Sequence, residues 1–154
     1  MTIDVKPETR DIVIDEVLPH TADIVWKTLV TPELMARWIM PAEGFEAVEG
    51  KVFTFKTNPG GAWDGVIHCR VLEVVPHTRL AYAWQGGHPN NPDGYGAPLD
   101  TVVTWTLSPV EAGTRVKLVH AGFAIPRNEN AHHHMGIGWA KIVKQIGTIT
   151  AEVA

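Results

Sequence analysis

A single cysteine, Cys69, stands in the 154 residues, so no internal disulfide can form and nothing points to an oxidising compartment. Positive charge is also scarce. Lys and Arg number 13 against 17 Asp and Glu, scattered without a basic run, for a net charge of −4. Nucleic acid and anionic membrane surfaces both demand clustered Lys and Arg, so neither is an expected partner. The N-terminal MTIDVKPETRDIVIDEV carries a charge every few residues and no apolar core. It reads as neither a signal peptide nor a membrane span, and the cytoplasm is the expected location. Internal repeats and low-complexity tracts are missing. No glycine-rich phosphate motif follows a strand and opens a helix, which leaves nucleotide binding without support. No cofactor is expected.

What is present suits one α+β domain. Apolar residues make up 45% of the chain and charged residues 19%, and the length is enough to bury a sizeable core. A loose lead-in is expected over residues 1–9, around Pro7, and a single domain over 10–154. From Asp11 to Leu18, β-branched residues interleave with charges as in a strand. Thr21 can cap a short helix carrying Val25, Trp26 and Leu29, and Thr31-Pro32-Glu33 opens a second, with Leu34 and Trp38 on one face, that stops before Pro41. Strands and turns follow. Phe53 and Phe55 share a face of Lys51 to Lys56. From Trp63 to Val75 the faces conflict, Ile67, Cys69 and Val71 against Val66, Leu72 and Val74, which predicts a bulge or bend where Gly65 loosens the strand. Leu80, Tyr82 and Trp84 alternate with Arg79, Ala81, Ala83 and Gln85. Val103, Trp105 and Leu107 alternate with Thr104 and Thr106, and Val116, Leu118 and His120 with Arg115 and Lys117. Three successive strands with an apolar face and a more polar back predict an antiparallel sheet covered on one side. The cover is a helix from about Ala131, marked by Trp139, Ile142, Val143, Ile146, Ile149 and Val153 at three- and four-residue spacing. Gly86 to Pro98, GGHPNNPDGYGAP, is too rich in Gly, Pro and Asn for regular structure, and a loop of that length is often functional.

This order, with its particular words, resembles the helix-grip fold of the START-like (SRPBCC, polyketide cyclase/Bet v-like) superfamily. Within it the chain resembles the group named after the activator of heat-shock protein 90 ATPase. The words are Val25-Trp26, Thr31-Pro32-Glu33-Leu34, Arg37-Trp38, Gly50 with Phe53 and Phe55, and Gly65; then Glu73-Val74 with Pro76, Arg79-Leu80 with Tyr82 and Trp84, and Val103 through Leu107; and finally Gly113-Thr114, His120-Ala121-Gly122-Phe123 and Gly138-Trp139. They span nearly the whole chain. The resemblance implies a curved antiparallel sheet of about seven strands, two short helices after the first strand, and a long C-terminal helix. The chain departs from the pattern at His20-Thr21, where the family often has Ala-Pro, at Glu49-Gly50 in place of a double glycine, and in its longer loop at residues 86–100.

Candidate chemistry is sparse. Consecutive helical residues point about 100° apart, so His132, His133 and His134 cannot chelate one ion from one helix face, and no Cys/His set accompanies them. No metal is expected. His120 shares the inward face with Val116 and Leu118; it is either hydrogen-bonded for structural reasons or available to a ligand's polar group or to acid/base work. His68 is not assigned to a face. Asp64, Glu73 and Asp100 are isolated, and Cys69 reads as a small buried hydrophobe. Gly136, Gly138 and Gly147 each weaken the C-terminal helix by roughly 1 kcal/mol relative to Ala. They imply either tight contact with the sheet or space left for a guest.

The expected function is therefore a receptor for a small apolar or aromatic, lipid-like molecule held between sheet and helix. Trp38, Phe53, Phe55, Tyr82, Trp84, Trp105, His120, Trp139 and Val143 are the expected ligand contacts, with no catalytic residue assigned. A cyclase- or hydratase-like enzyme using the same cavity is the alternative, and it needs two facing polar side chains within hydrogen-bond reach. A co-chaperone role, which the family name implies, ranks third, because the chain ends with the grip helix and a contact with the chaperone is not expected. A homodimer is left open.

Overall fold

The structure, a computed structural model, describes residues 8–154. The lead-in expected over residues 1–9 falls mostly outside them. The first strand, β1 (Thr9–Leu18), leads into α1 (Ala22–Val30) and α2 (Pro32–Trp38). Then come β2 (Val52–Lys56), β3 (Val66–Val75), β4 (Arg79–Gly86), β5 (Leu99–Val110), β6 (Gly113–Ala124) and the 25-residue α3 (Glu129–Val153). All pairings are antiparallel, in the order β1-β6-β5-β4-β3-β2. The first strand thus closes onto the last, and α3 lies across the inner face.

The described residues form six strands, not about seven. The segment between α2 and β2 contributes a single bridge, Glu43 to Thr54. Pro41 and the left-handed Gly44 and Gly50 (φ 83° and 86°) break the extended backbone a longer strand would need. Thr21 and Thr31 sit at the N-caps of α1 and α2, with Pro32 at the start of α2, but neither threonine hydroxyl caps a backbone N–H; that of Thr31 turns back to the Lys27 carbonyl.

The ambiguous apolar pattern of β3 has a direct explanation. Ile67, Cys69 and Val71 are buried, then Leu72 is extruded as a bulge between the pairs Val71–Tyr82 and Glu73–Ala81, and Val74 returns opposite Leu80. Both competing faces are therefore partly right, one on each side of the bulge. The bulge lies at Leu72 rather than at Gly65. Gly65 precedes the strand at φ 84°, where a side chain would collide with the Thr57 carbonyl.

Much of the inner face is packed with aromatic rings. Trp105 packs edge-on to Trp38 and Trp139 at 5.7 and 5.8 Å, and Phe53 to Phe55 and Tyr82 at 5.5 and 5.4 Å. The indole of Trp38 donates to the Thr28 carbonyl at 2.9 Å and that of Trp105 to the Tyr82 hydroxyl at 3.2 Å. Thr28 and Thr150 share a buried hydroxyl–hydroxyl bond of 2.9 Å that joins α1 to α3. Among the described residues no buried side-chain polar atom lacks a partner, as a well-specified core requires. No helix among them is long and apolar enough to cross a membrane.

Candidate functional site

The three helix glycines separate into two kinds. A Cβ on Gly147 would come within 3.1 Å of the Leu18 side chain, so this glycine lets α3 settle against β1. At Gly138 nothing lies within 4 Å of where a Cβ would be, and Gly138 faces a cavity of about 340 Å³. Tight contact and vacant space both occur, at opposite parts of one helix. Gly138→Ala is accordingly expected to stabilise the empty protein by about 1 kcal/mol, a rise in melting temperature of a few degrees for a domain of this size, measurable by thermal unfolding.

The cavity runs under the N-terminal half of α3. Trp84 and Trp139 form its inner end, Ile67 and Trp63 line the sheet side, and Met135 and Ile142 come from α3. Ile39 and Met40, just beyond α2, close another side. The mouth is bordered by Asn130 and His134 of α3 and by Tyr95 in the loop over residues 87–98, all three exposed. Polar groups are confined to the outer part.

That loop is held by its own side chains. Asn91 donates through Nδ2 to the carbonyls of Gly60 and Gly96 at 2.9 and 3.0 Å and accepts from the Ala62 N–H at 3.1 Å. The Tyr95 hydroxyl donates to the Asn58 carbonyl, and its ring packs on Trp63 at 5.6 Å. The composition that excludes regular structure here thus builds a rim pinned to the turn before β3.

His120 lies behind the cavity, fully buried, and does not border it. The Trp139 indole N–H donates to Nδ1 at 3.0 Å. Because an indole nitrogen only donates, Nδ1 carries no proton and the ring proton sits on Nε2. Nε2 donates to the Thr101 hydroxyl at 2.7 Å, and that hydroxyl donates to the Trp84 carbonyl at 2.8 Å. Burial drives the His120 pKa down to about 3, so the ring is neutral near pH 7. Its hydrogen-bond partners do not ionise, which leaves it without the partner that acid/base work needs.

Of the nine expected contacts, Trp84 and Trp139 border the cavity. Trp38, Phe53, Phe55, Tyr82, Trp105 and Val143 are buried in the packed interior beside it, and His120 supports its inner end. Sequence reasoning misses Ile39, Met40, Met135 and Tyr95. The first two lie outside regular structure, where periodicity gives no signal, and Tyr95 is marked only by the unusual composition of its loop.

His132 bonds to the Asp11 carbonyl at 3.0 Å and meets Phe123 edge-on, whereas His133 and His134 are exposed. The described residues contain no cluster of three metal-capable side chains. Cys69 is buried and its thiol is pushed up to about 12 by desolvation. A thiol-specific reagent should therefore fail to label native protein at about pH 8 and label it fully in denaturant; prompt native labelling would contradict the burial.

Known structures place this geometry in a family setting. No curated protein gives a match. Protein MLL2253 from Mesorhizobium loti is 27% identical and superposes with a TM-score of 0.80 over 94% of this chain and 99% of that one. The Aha1 dimer from Colwellia psychrerythraea is 18% identical, with a TM-score of 0.69 over 90% of this chain and 93% of that one. DynU16, described as a protein of the dynemicin biosynthetic locus, is also 18% identical, with a TM-score of 0.68 over 90% of this chain and 46% of that one. At those last two identities the likeness is one of fold. The family model of the activator of Hsp90 ATPase homolog 1-like proteins matches residues 19–151. A match over so much of the domain, on the helix-grip architecture of the START-like superfamily, means that this chain belongs to the activator of Hsp90 ATPase homolog 1-like family.

Proposed function

We propose that the protein is a receptor for a small, largely apolar molecule, held between α3 and the sheet with its polar end toward Asn130 and His134. The observation that carries this reading is the space beneath Gly138. A helix whose inner face packs against aromatic core residues omits a side chain at Gly138, over a cavity of about 340 Å³ whose inner end is two indoles. A gap of that size forfeits dispersion contacts, and a guest would restore them. Its volume lies in the lower part of the range of about 300 to 1,000 Å³ seen for small-molecule sites.

Catalysis in the same cavity has weaker support. Of the lining residues only Tyr95 and His134 ionise, and the Tyr95 hydroxyl is engaged with the Asn58 carbonyl. The other polar side chains of the lining, Thr57 and Asn130, do not ionise, so His134 has no free acid or base beside it among the lining residues for a cyclase-like reaction.

Native mass spectrometry of freshly purified protein tests the reading. The expected spectrum contains a second species, heavier by one small molecule, that disappears on denaturation and is rebuilt when an apolar extract of the source cells is added back. A single unliganded mass that no extract or apolar probe changes would end the proposal.

A further inference from the structure

The cavity has a hard inner limit. Trp84 and Trp139 meet there at 5.9 Å and an angle of 61°, and His120 lies against both, at 5.3 and 5.8 Å. Behind them the interior is occupied: Phe55 packs on Trp84 at 5.4 Å and Trp105 on Trp139 at 5.8 Å, all fully or nearly fully buried.

The Trp139 indole is not free to swing aside. The chain Trp139 Nε1–H to His120, His120 Nε2–H to Thr101, and Thr101 O–H to the Trp84 carbonyl ties the Trp139 ring to the Trp84 backbone. The Trp84 indole itself is held by packing between Phe55 and His120. Moving the Trp139 ring would strand the indole N–H and His120 Nδ1 in a dry interior, which is unfavourable because each would lose its only partner. A long acyl chain entering at His134 would run into this wall.

We propose that the ligand is a compact fused-ring aromatic molecule rather than a long acyl chain, and that the His120–Thr101 relay, without touching it, fixes the wall that limits how deep a guest can reach. This rests on the receptor reading above. At interior packing density, about 340 Å³ of space accommodates roughly 250 Å³ of guest atoms, enough for two to four fused rings with a polar substituent. The lining favours rings over an alkyl chain. The indoles of Trp63, Trp84 and Trp139 offer edges and faces, and Met40 and Met135 offer thioethers, all of which make directional contacts with an aromatic guest. The outer hydroxyl or carboxyl of such a guest would lie at the mouth beside Asn130 and His134. Thr101 and His120 are positioning residues in this scheme.

Calorimetric titration of the full chain with 2-naphthol, pyren-1-ol and dodecan-1-ol tests it. Naphthol and pyrenol are each expected to bind at least tenfold more tightly than dodecanol, whose extended chain meets the wall. Thr101→Val keeps the side-chain shape but breaks the relay, and the ratio of aromatic to dodecanol affinity is expected to shrink at least threefold. If wild-type protein takes dodecanol as tightly as the two aromatic probes, the depth limit is wrong and the receptor reading survives. If Thr101→Val weakens all three probes by one factor, the relay has only a structural role. Absence of binding by every probe, with no retained molecule in the native mass spectrum, overturns the receptor reading itself. The wild-type comparison decides the depth limit independently of how well the variant folds.

Discussion

His120→Leu is expected to lower the stability at pH 7 by about 2–4 kcal/mol, a substantial part of the roughly 5–15 kcal/mol that holds a domain together. The loss has an identifiable source. Leucine can fill much of the imidazole volume but accepts nothing from the Trp139 indole, whose N–H then lies buried without a partner, at a cost of about 1–3 kcal/mol. The Thr101 hydroxyl loses its donor as well, although it keeps the Trp84 carbonyl as acceptor. Urea unfolding measures the total. Adding Trp139→Phe, which removes the stranded donor, should recover at least ~1 kcal/mol relative to additivity. A cost below ~0.5 kcal/mol, or strict additivity, would show that the relay does not hold the wall.

The same residue gives the wild type an acid limb. The native ring has a pKa of about 3 because burial disfavours the cation, whereas in the unfolded chain it titrates near 6.5. Between those values the unfolded state binds the proton and the native state does not. Stability is therefore complete above about pH 6.5 and falls as the pH drops toward 3, with a slope approaching ~1.4 kcal/mol per pH unit. Asp15 and Asp23 are held below the ordinary carboxylate range by Arg115 and by Thr21, so their contributions are lost only at lower pH, as the folded carboxyls protonate. Among the described residues His120 is the fully buried histidine. The interval from about pH 6.5 to 4.5 consequently isolates it, and the slope there should flatten in His120→Leu.

Much of this architecture is readable in the chain because strands with one wet face must alternate. Tyr82, Trp105, Val116 and Leu118 are all fully buried, where period two puts them, and Trp139, Val143, Ile146 and Ile149 follow α3 on its inner face. The resemblance to the family adds the order of elements. The cavity is less readable, for a physical reason. Periodicity says which way a side chain faces, not whether the opposing surface meets it. Trp38, Phe53, Phe55, Tyr82, Trp105 and Val143 face inward as expected, and their partners reach them, so they pack as core. Near Trp84 and Trp139, by contrast, the opposing surface recedes. The sequence marks that place indirectly, through Gly138 one residue before Trp139 and through the loop carrying Tyr95. The bulge at Leu72 is likewise signalled by two conflicting apolar faces, but its position is not, since β3 could in principle break at any residue between them.

The largest effect on binding is expected at Gly138, and Gly136 supplies its control. Both are helical glycines on α3, two residues apart, and at each nothing lies within 4 Å of the place a Cβ would occupy. They face different spaces: Gly138 opens on the cavity, whereas Gly136 opens on a shallow groove against Asp11 to Ile14 of β1. Leucine at either position gains helix propensity over glycine by about 1 kcal/mol, so neither variant should unfold the protein. At Gly138 the new side chain enters the cavity and removes the apolar contact area a guest would use. A loss of three to four buried methylenes, at about 0.8 kcal/mol each, corresponds to roughly 100-fold weaker binding. Gly138→Leu should therefore reduce affinity for an aromatic probe about 100-fold and deplete the heavier species in the native mass spectrum, while Gly136→Leu leaves both within about threefold of wild type. Equal losses in the two variants would mean that binding responds to helix stiffness rather than to the space under Gly138, and unchanged binding in both would place the guest elsewhere. The pair separates occupancy from stability because each substitution alters helix propensity alike, and only one of them fills the space beside the two tryptophans.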